Sequence, residues 1–452
     1  MDIRKMKKTV FFLILLVFFS CQKNKDAADV GKKVRETTKD VHIEEIYDAV
    51  VVGGGMAGLS AAYYLKNELG ENAKIVLLEK ENRLGGKILT KKFNNDIYEL
   101  GASFDYGKTY APKGFEPSEL AELIKNYGLY LNGTLYSASN IPELLRKINP
   151  ADGRFFREFD KNQDINKLFD SVSGNARKVI ESSFKVIHFG EFKDYTDVRK
   201  KDAFKTYNFD FRVKGNYEFL HFYTKILKGN YLLGAEVESI EQKDMVILVQ
   251  YKKGSKINVL KAKSVIVATP ATVTQRIVKN MKEESENFVK SVSYAKTIVV
   301  VFITNRNKPI DFSYILTPDK VFNNVVTSFS VDKKRNIFSI YFTDAFINLH
   351  QDWKNDDYIK AAYKDFQSMQ LVDLDKDLLH TDSCFWKEEG AVISEETYKN
   401  FSENALNPLP GVFLAGDYTF WNKYKIPYGI PHAYFSGESA ARKASEYLKK
   451  SK

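Results

Sequence analysis

The stretch Asp48-Ala-Val-Val-Val-Gly53-Gly-Gly55-Met-Ala-Gly58 constrains this chain more than any other. A short apolar run ending in glycines suits a buried parallel strand. Met56 to Leu69 then carries apolar residues at helical spacing and stops at Gly70, a natural helix end. Ala73-Lys-Ile-Val-Leu-Leu-Glu79 comes next as a second buried strand, so the segment reads as one βαβ unit. In such a unit the three glycines do different work. Gly53 permits a tight turn, Gly55 lets a pyrophosphate approach the backbone, and Gly58 lets helix and strand pack closely. Glu79, at the end of the second strand, is positioned to accept hydrogen bonds from an adenosine ribose. Its charge would repel the 2′-phosphate of NADP.

The rest of the chain alternates in character. Residues from about Tyr110 to Tyr223 read as mostly helical and rich in aromatic and charged residues. Tyr231 to Pro270 reads as successive strands with a turn at Lys253-Gly254. Lys296-Thr-Ile-Val-Val-Val-Phe302, Asn324 to Asp332 and Ile337 to Asp344 read as further strands, and Asp357 to Gln370 as a helix. The end, from Gly411, reads as strand, loop and long helix. The expected fold class is α/β, a doubly wound Rossmann-like dinucleotide domain with an interleaved α+β substrate domain. The first is built from 46–110, 215–292 and 379–452, the second from 111–214 and 293–378.

The loop after Glu79 separates flavin from nicotinamide. Glu79-Lys-Glu-Asn-Arg83-Leu-Gly85-Gly86-Lys87 resembles the second fingerprint of the flavin-containing amine oxidase superfamily. That group includes monoamine and polyamine oxidases, amino-acid oxidases, protoporphyrinogen oxidase and phytoene desaturases. The resemblance implies FAD, with the glycine pair bringing the loop backbone to its phosphates and basic side chains neutralising them. Lys87 replaces the family's last arginine, keeping the charge and losing bidentate geometry. Tyr98-Glu99-Leu-Gly101 resembles the family's Asp-x-Gly segment. Gly215-Asn-Tyr-Glu-Phe-Leu220 looks like its Gly-Gly-Met helix start, and Ala235-Glu-Val237 resembles the strand whose valine backbone meets the adenine. Ser264 to Pro270 is similar to the strand ending in Ala-x-Pro. Phe413-Leu-Ala415-Gly416-Asp417 and Ala433-Tyr-Phe-Ser436-Gly437-Glu-Ser-Ala-Ala441 resemble the C-terminal signature. From it, Asp417 is expected at the ribityl–pyrophosphate region. The helix starting near Pro431, with His432 and Ala433, is expected to point its N-terminus at the flavin pyrimidine carbonyl.

The resemblance implies two-electron oxidation of a small-molecule substrate by hydride transfer to the flavin, on a C–N bond. A C–C desaturase or protoporphyrinogen-oxidase-like enzyme is the alternative, and a non-catalytic flavin- or ligand-binding lipoprotein another. Amine-oxidising members carry a lysine at the start of a strand, bonded through water to the flavin, and Lys296 occupies that place, with Thr297 there if the strand phase slips by one. Trp421, Tyr424 and Tyr428 lie where the family sets aromatic walls around a substrate amine. Trp386-Lys-Glu-Glu-Gly390 resembles the segment ahead of a flavin-attachment cysteine. Its spacing leads to Ser394, so FAD is expected to bind non-covalently.

Charge and cysteine content limit the partners. The net charge of +10, from 68 basic and 58 acidic residues, is scattered apart from Arg4, Lys5, Lys7 and Lys8, and forms no stripe for nucleic acid. The 2 cysteines, Cys21 and Cys384, allow no disulfide framework, and the histidines show no metal-ligand spacing. Residues 1–20 join a basic start to an apolar core, Val10 to Phe19, far short of the ~20 residues that span a bilayer. With Cys21 next, this resembles a bacterial lipoprotein signal. It implies export to the cell envelope, a lipid anchor on Cys21 and a polar tether over 22–45. The sequence is silent on substrate identity and oligomeric state.

Overall fold

The computed structural model describes residues 46–103, 112–115, 120–122, 126–159, 161, 164–204, 210–212, 215–419 and 429–450. A seven-stranded sheet is built around β1 (Ile46–Val52), which lies parallel between β12 (Lys256–Val267) and β2 (Ile75–Glu79). Beyond β2, β9 (Tyr231–Leu233) continues the parallel order. The long β12 serves two neighbours on its far side. Its first half pairs antiparallel with β11 (Val246–Lys253), which pairs with β10 (Ala235–Lys243), and its second half pairs parallel with β18 (Val412–Leu414). Residues Ala49–Val52 and Ile75–Leu78 of β1 and β2 are apolar throughout because both strands are buried on both faces, Val50, Val52, Val76 and Leu78 in a cluster with Ile240 and Val249 of the neighbouring strands, and the helix Met56–Leu69 packing against them as well. The helix Met56–Leu69 and the C-terminal helix Ile430–Lys450 pack on one another beside them.

A second seven-stranded sheet runs β17 (Leu378–Val392), β13 (Ser293–Asn305), β16 (Arg335–Phe342), β15 (Asn324–Phe329), β14 (Tyr314–Leu316), β6 (Tyr127–Leu131) and β7 (Thr134–Ala138). The run Ile298 to Ile303 in its middle is apolar at every position because both faces are covered. Val299, Val301 and Ile303 join a cluster with Phe184 and Phe192, while Ile298, Val300 and Phe302 join one with Tyr358 and Phe366. Two small pairs complete the strands, the hairpin β3 (Thr90–Phe93) with β4 (Asp96–Glu99), and β5 (Leu120–Glu122) with β8 (Asp210–Arg212).

The Rossmann-like α/β architecture matches the sequence expectation, with two differences. Residues 120–138 contribute β5, β6 and β7, where a mostly helical segment was expected. In this region tertiary pairing with β14 and β8 outweighs local propensity. The expected boundary at 378/379 also cuts off a strand that pairs with β13 through Val392. Among the described residues no helix is long and apolar enough to cross a membrane, and no group of His, Cys, Asp and Glu is arranged to hold a metal.

Candidate functional site

The ends of β1 and β2 meet two glycine loops that form one surface. Gly53 N donates to Leu78 O at 2.8 Å, tying the first loop to β2. A Cβ on Gly58 would stand 1.9 Å from Gly53 O, so this glycine seats the helix on the end of β1. Gly55 is different: a Cβ there would meet only Gly86 Cα, at 3.9 Å, and Gly55 lines a cavity. The space it saves belongs to whatever the cavity holds. Gly85 N donates to Gly54 O at 2.8 Å, and Gly55 and Gly85 form a parallel bridge, so the second loop is zipped to the first.

Two charged residues hold this surface together. Glu79 Oε2 accepts from Gly54 N at 2.6 Å and its Oε1 from Glu81 N at 2.7 Å. Burial pushes its carboxyl above the usual range, against the pull of those donors. Arg83 donates to the carbonyls of Gly86 at 2.6 Å, Ile88 at 3.1 Å and Leu84 at 3.3 Å, which stiffens the Arg-Leu-Gly-Gly turn. Burial draws its guanidinium below its ordinary value.

The cavity, about 440 Å³, lies within the ~300–1,000 Å³ usual for ligand clefts. It runs from Val237 and Thr269 past the glycine loops to a polar cluster. There Lys87 Nζ donates to Glu389 O at 2.5 Å and to Asp417 Oδ2 at 3.0 Å, and stands 5.7 Å from the Tyr294 ring centre. Burial opposes the ammonium, but the carboxylates of Asp417 and Glu389 outweigh it and hold Lys87 above its usual range. Gly416 N donates to Ser436 Oγ at 2.9 Å, fixing the Asp417 turn to the C-terminal helix.

Beyond Lys87 the cavity becomes aromatic. Tyr341 on β16, Trp386 on β17, and Ile187 and Phe189 at the end of the helix Gly174–His188 line it together with Ser103. Ser103 Oγ and Tyr341 OH are hydrogen-bonded at 2.6 Å, and Trp386 Nε1 donates to Leu100 O at 2.6 Å. Burial raises the Tyr341 phenol above its ordinary value. None of these residues except Trp386 carries a motif, and they come together from the second sheet, the end of the helix Gly174–His188 and the segment after β4.

Every residue expected to hold the cofactor lines this cavity except Gly58 and His432. Gly58 instead packs helix on strand. His432 is fully buried beside His188, because the helical turn that presents Ala433 to the cavity points its neighbour into the protein. Lys296 is not brought to the site, which corrects the expectation for it. Its Nζ donates to Asn348 Oδ1 at 2.5 Å and its backbone N to Asp344 Oδ1 at 2.9 Å, outside the cavity lining. Thr297, the alternative, is buried and donates to Phe342 O at 2.8 Å. An irregularity in the β13–β17 ladder between Ala295 and Thr297 breaks strand alternation at this position. Cys384, half-buried on β17, does not line the cavity. Trp421, Tyr424, Tyr428 and Cys21 lie outside the described residues.

Residues 51–118 match an NAD(P)-binding Rossmann-like domain, and residues 212–445 match the family of flavin-containing amine oxidoreductases. A probable flavin-containing monoamine oxidase A of Dictyostelium discoideum is 26% identical over 285 residues, 51% of this chain and 59% of that protein. The chain thus spans little more than half of that relative. The cyclohexylamine oxidase of Brevibacterium oxydans IH-35A superimposes over 90% of this chain and 100% of its own, with TM-score 0.71 and 13% identity. A putative protoporphyrinogen oxidase of Exiguobacterium sp. 255-15 does so over 89% and 99%, with TM-score 0.62 and 14% identity. At such identities the likeness establishes the fold. The family match over more than half of the chain establishes membership: the chain belongs to the flavin-containing amine oxidoreductases.

Proposed function

We propose that this member of the flavin-containing amine oxidoreductases is an FAD-dependent oxidoreductase that takes two electrons from a small amine at its C–N bond. One observation carries the reading. The cavity joins a glycine cradle at the ends of parallel strands to an aromatic recess across the Lys87–Asp417 pair. The cradle fits FAD. Gly55 leaves room for a group that no protein atom fills, and the helix Met56–Leu69 begins there with no side chain capping its first N–H groups. Arg83 and Lys87 supply positive charge at the loop, Val237 the adenine end, and Gly101, Gly416 and Ala433 the walls. When bound, the flavin supplies the hydride-accepting chemistry. The residues of the recess position the substrate and exclude water. We assign the first sheet and its helices to holding FAD, and the second sheet with helices 141–204 to covering the substrate. FAD is held non-covalently on this reading, since Cys384 lies off the cavity lining.

A flavin absorption band near ~450 nm in the purified protein, bleached anaerobically by one or more of a panel of amines, is the expected result. A colourless protein that takes up no added FAD would overturn the proposal. A second reading, a C–C desaturase or protoporphyrinogen-oxidase-like enzyme, is favoured by the position of Lys296 away from the cavity. Bleaching by a tetrapyrrole and not by amines would decide for it. The basic-then-apolar start followed by Cys21 supports export and lipidation at that cysteine, anchoring the enzyme to the envelope. Metabolic labelling with a fatty acid, lost in Cys21→Ala, tests this.

A further inference from the structure

The Glu389 carboxylate acts on Lys87 through charge alone. Trp386 pairs with Thr297 and Gly390 with Ala295, so Lys387, Glu388 and Glu389 face the single residue Lys296 across the ladder. A bulge of this kind bends a strand and re-aims its side chains. The Glu388 carboxylate accepts from Thr272 Oγ1, and the Asp417 carboxylate from Lys87. The backbone carbonyl of Glu389 also accepts from Lys87. Its carboxylate Oε2, however, is withdrawn from solvent and has no hydrogen-bond partner among the described residues. A carboxylate oxygen kept from water without a donor is unfavourable unless a ligand brings one. The charged and titratable groups around it include Lys87 from the second glycine loop, Asp417 after β18, Tyr341 on β16, and Glu388 and Cys384 on its own strand. Burial pushes its carboxyl up to about 7, against the pull of Lys87, and Asp417 adds to the rise.

We infer that the Glu389 carboxylate receives the ammonium of an amine substrate and takes one of its protons, while Tyr341 and Trp386 wall in the carbon skeleton. The inference rests on the amine-oxidising reading and names the group that recognises the amine. The step breaks one N–H bond of the ammonium and forms one O–H bond on Glu389. No electron is transferred, and the amine is left neutral. Its nitrogen lone pair is then free to support the positive charge that develops as hydride leaves the neighbouring carbon. Neither Asp417, committed to Lys87, nor Glu388, bonded to Thr272, is as free to do this.

The test uses the FAD-loaded protein and tert-butylamine, which has no hydrogen on the carbon bearing nitrogen and is not oxidised. Its neutral isostere tert-butanol is the control. Binding is read by calorimetry and by the shift of the flavin band from about pH 5.5 to about pH 8.5, the window in which such a group titrates. Wild-type affinity for the amine should rise at least ~tenfold across the window. Glu389→Gln should lose that rise and bind the amine at least ~tenfold more weakly at the upper end, with tert-butanol changed less than ~twofold. Glu389→Asp should keep the preference for the amine. Equal affinity and an equal pH profile in wild type and Glu389→Gln would overturn the assignment and leave the amine reading standing. A flavin-loaded wild type that is neither bound by the probe nor bleached by any amine would overturn both. Should Glu389→Gln fail to retain FAD, the wild-type profile decides, a flat one refuting the inference.

Discussion

The second and third glycines of the motif, Gly55 at the helix start and Gly58 within the helix, should fail in opposite ways when each is replaced by alanine. In Gly58→Ala the new methyl would stand 1.9 Å from Gly53 O and 3.0 Å from Gly53 C, both backbone atoms. Relief to the 3.0 Å that real Cβ contacts respect needs about 1.1 Å of movement between helix and strand, with no flexible side chain to yield. Overpacking of this kind costs ~1–3 kcal/mol, and the better helix propensity of alanine returns up to ~1 kcal/mol. The net loss is about 1–2 kcal/mol, which in a large domain lowers Tm by roughly 2–8 °C. Gly55 has φ −75°, a conformation open to alanine, and its Cβ would meet no protein atom closer than 3.9 Å. Gly55→Ala should therefore leave the Tm of the FAD-free protein within ~2 °C of wild type, its cost being that of a poorer helix cap. The added methyl occupies cavity space, so FAD affinity should fall at least ~tenfold, about 1.4 kcal/mol. Thermal melts of the FAD-free proteins and flavin-fluorescence titrations measure both quantities. If Gly55→Ala binds FAD as tightly as wild type, or loses more Tm than Gly58→Ala, the division of labour between the two glycines is wrong.

Lys296→Met should change the rate of anaerobic flavin reduction by less than ~twofold, since Lys296 bonds Asn348 outside the cavity; stopped-flow absorbance measures it. Buried Glu99, bonded to Thr90 and Asn216 N, has its carboxyl pushed by burial from 4.5 up to about 8. The folded state therefore binds the extra proton, and the stability it contributes is full below about pH 4.5 and lost as pH rises through about 8. The Tm of wild type should fall across that window more steeply than that of Glu99→Gln. Trp386→Phe removes the donor to Leu100 O and should cost about 1–3 kcal/mol in a urea melt. The variant should still bind FAD, because the glycine cradle is untouched.

Much of the cradle was legible because its parts are local. The strand Ala49–Val52, the helix ending at Gly70 and the acid at Glu79 each arise from short-range pattern and composition. Even there a motif names positions and not jobs. Gly58 serves packing alone, and Arg83 binds three carbonyls of its own turn as well as facing the cavity. Strand phase was the weaker inference. Lys296 was placed by resemblance to a family strand start, and a ladder irregularity changes which side chain faces which way without leaving a mark in the sequence.

The sequence by itself determined that this chain folds around a βαβ unit with a dinucleotide cradle, and that the two strands of that unit are buried. Turn chemistry, helix periodicity and unbroken apolar runs act over a few residues, so they are written where they act. Tertiary structure alone decided how the cavity ends. Lys87 meets the Glu389 carbonyl across 302 positions of sequence and Asp417 across 330. The Ser103–Tyr341 pair, separated by 238, exists only because the hairpin β3–β4 leads the chain to the second sheet. Such contacts depend on how two sheets are assembled and on a bulge in β17, and neither leaves a local pattern for a reader of the sequence to find.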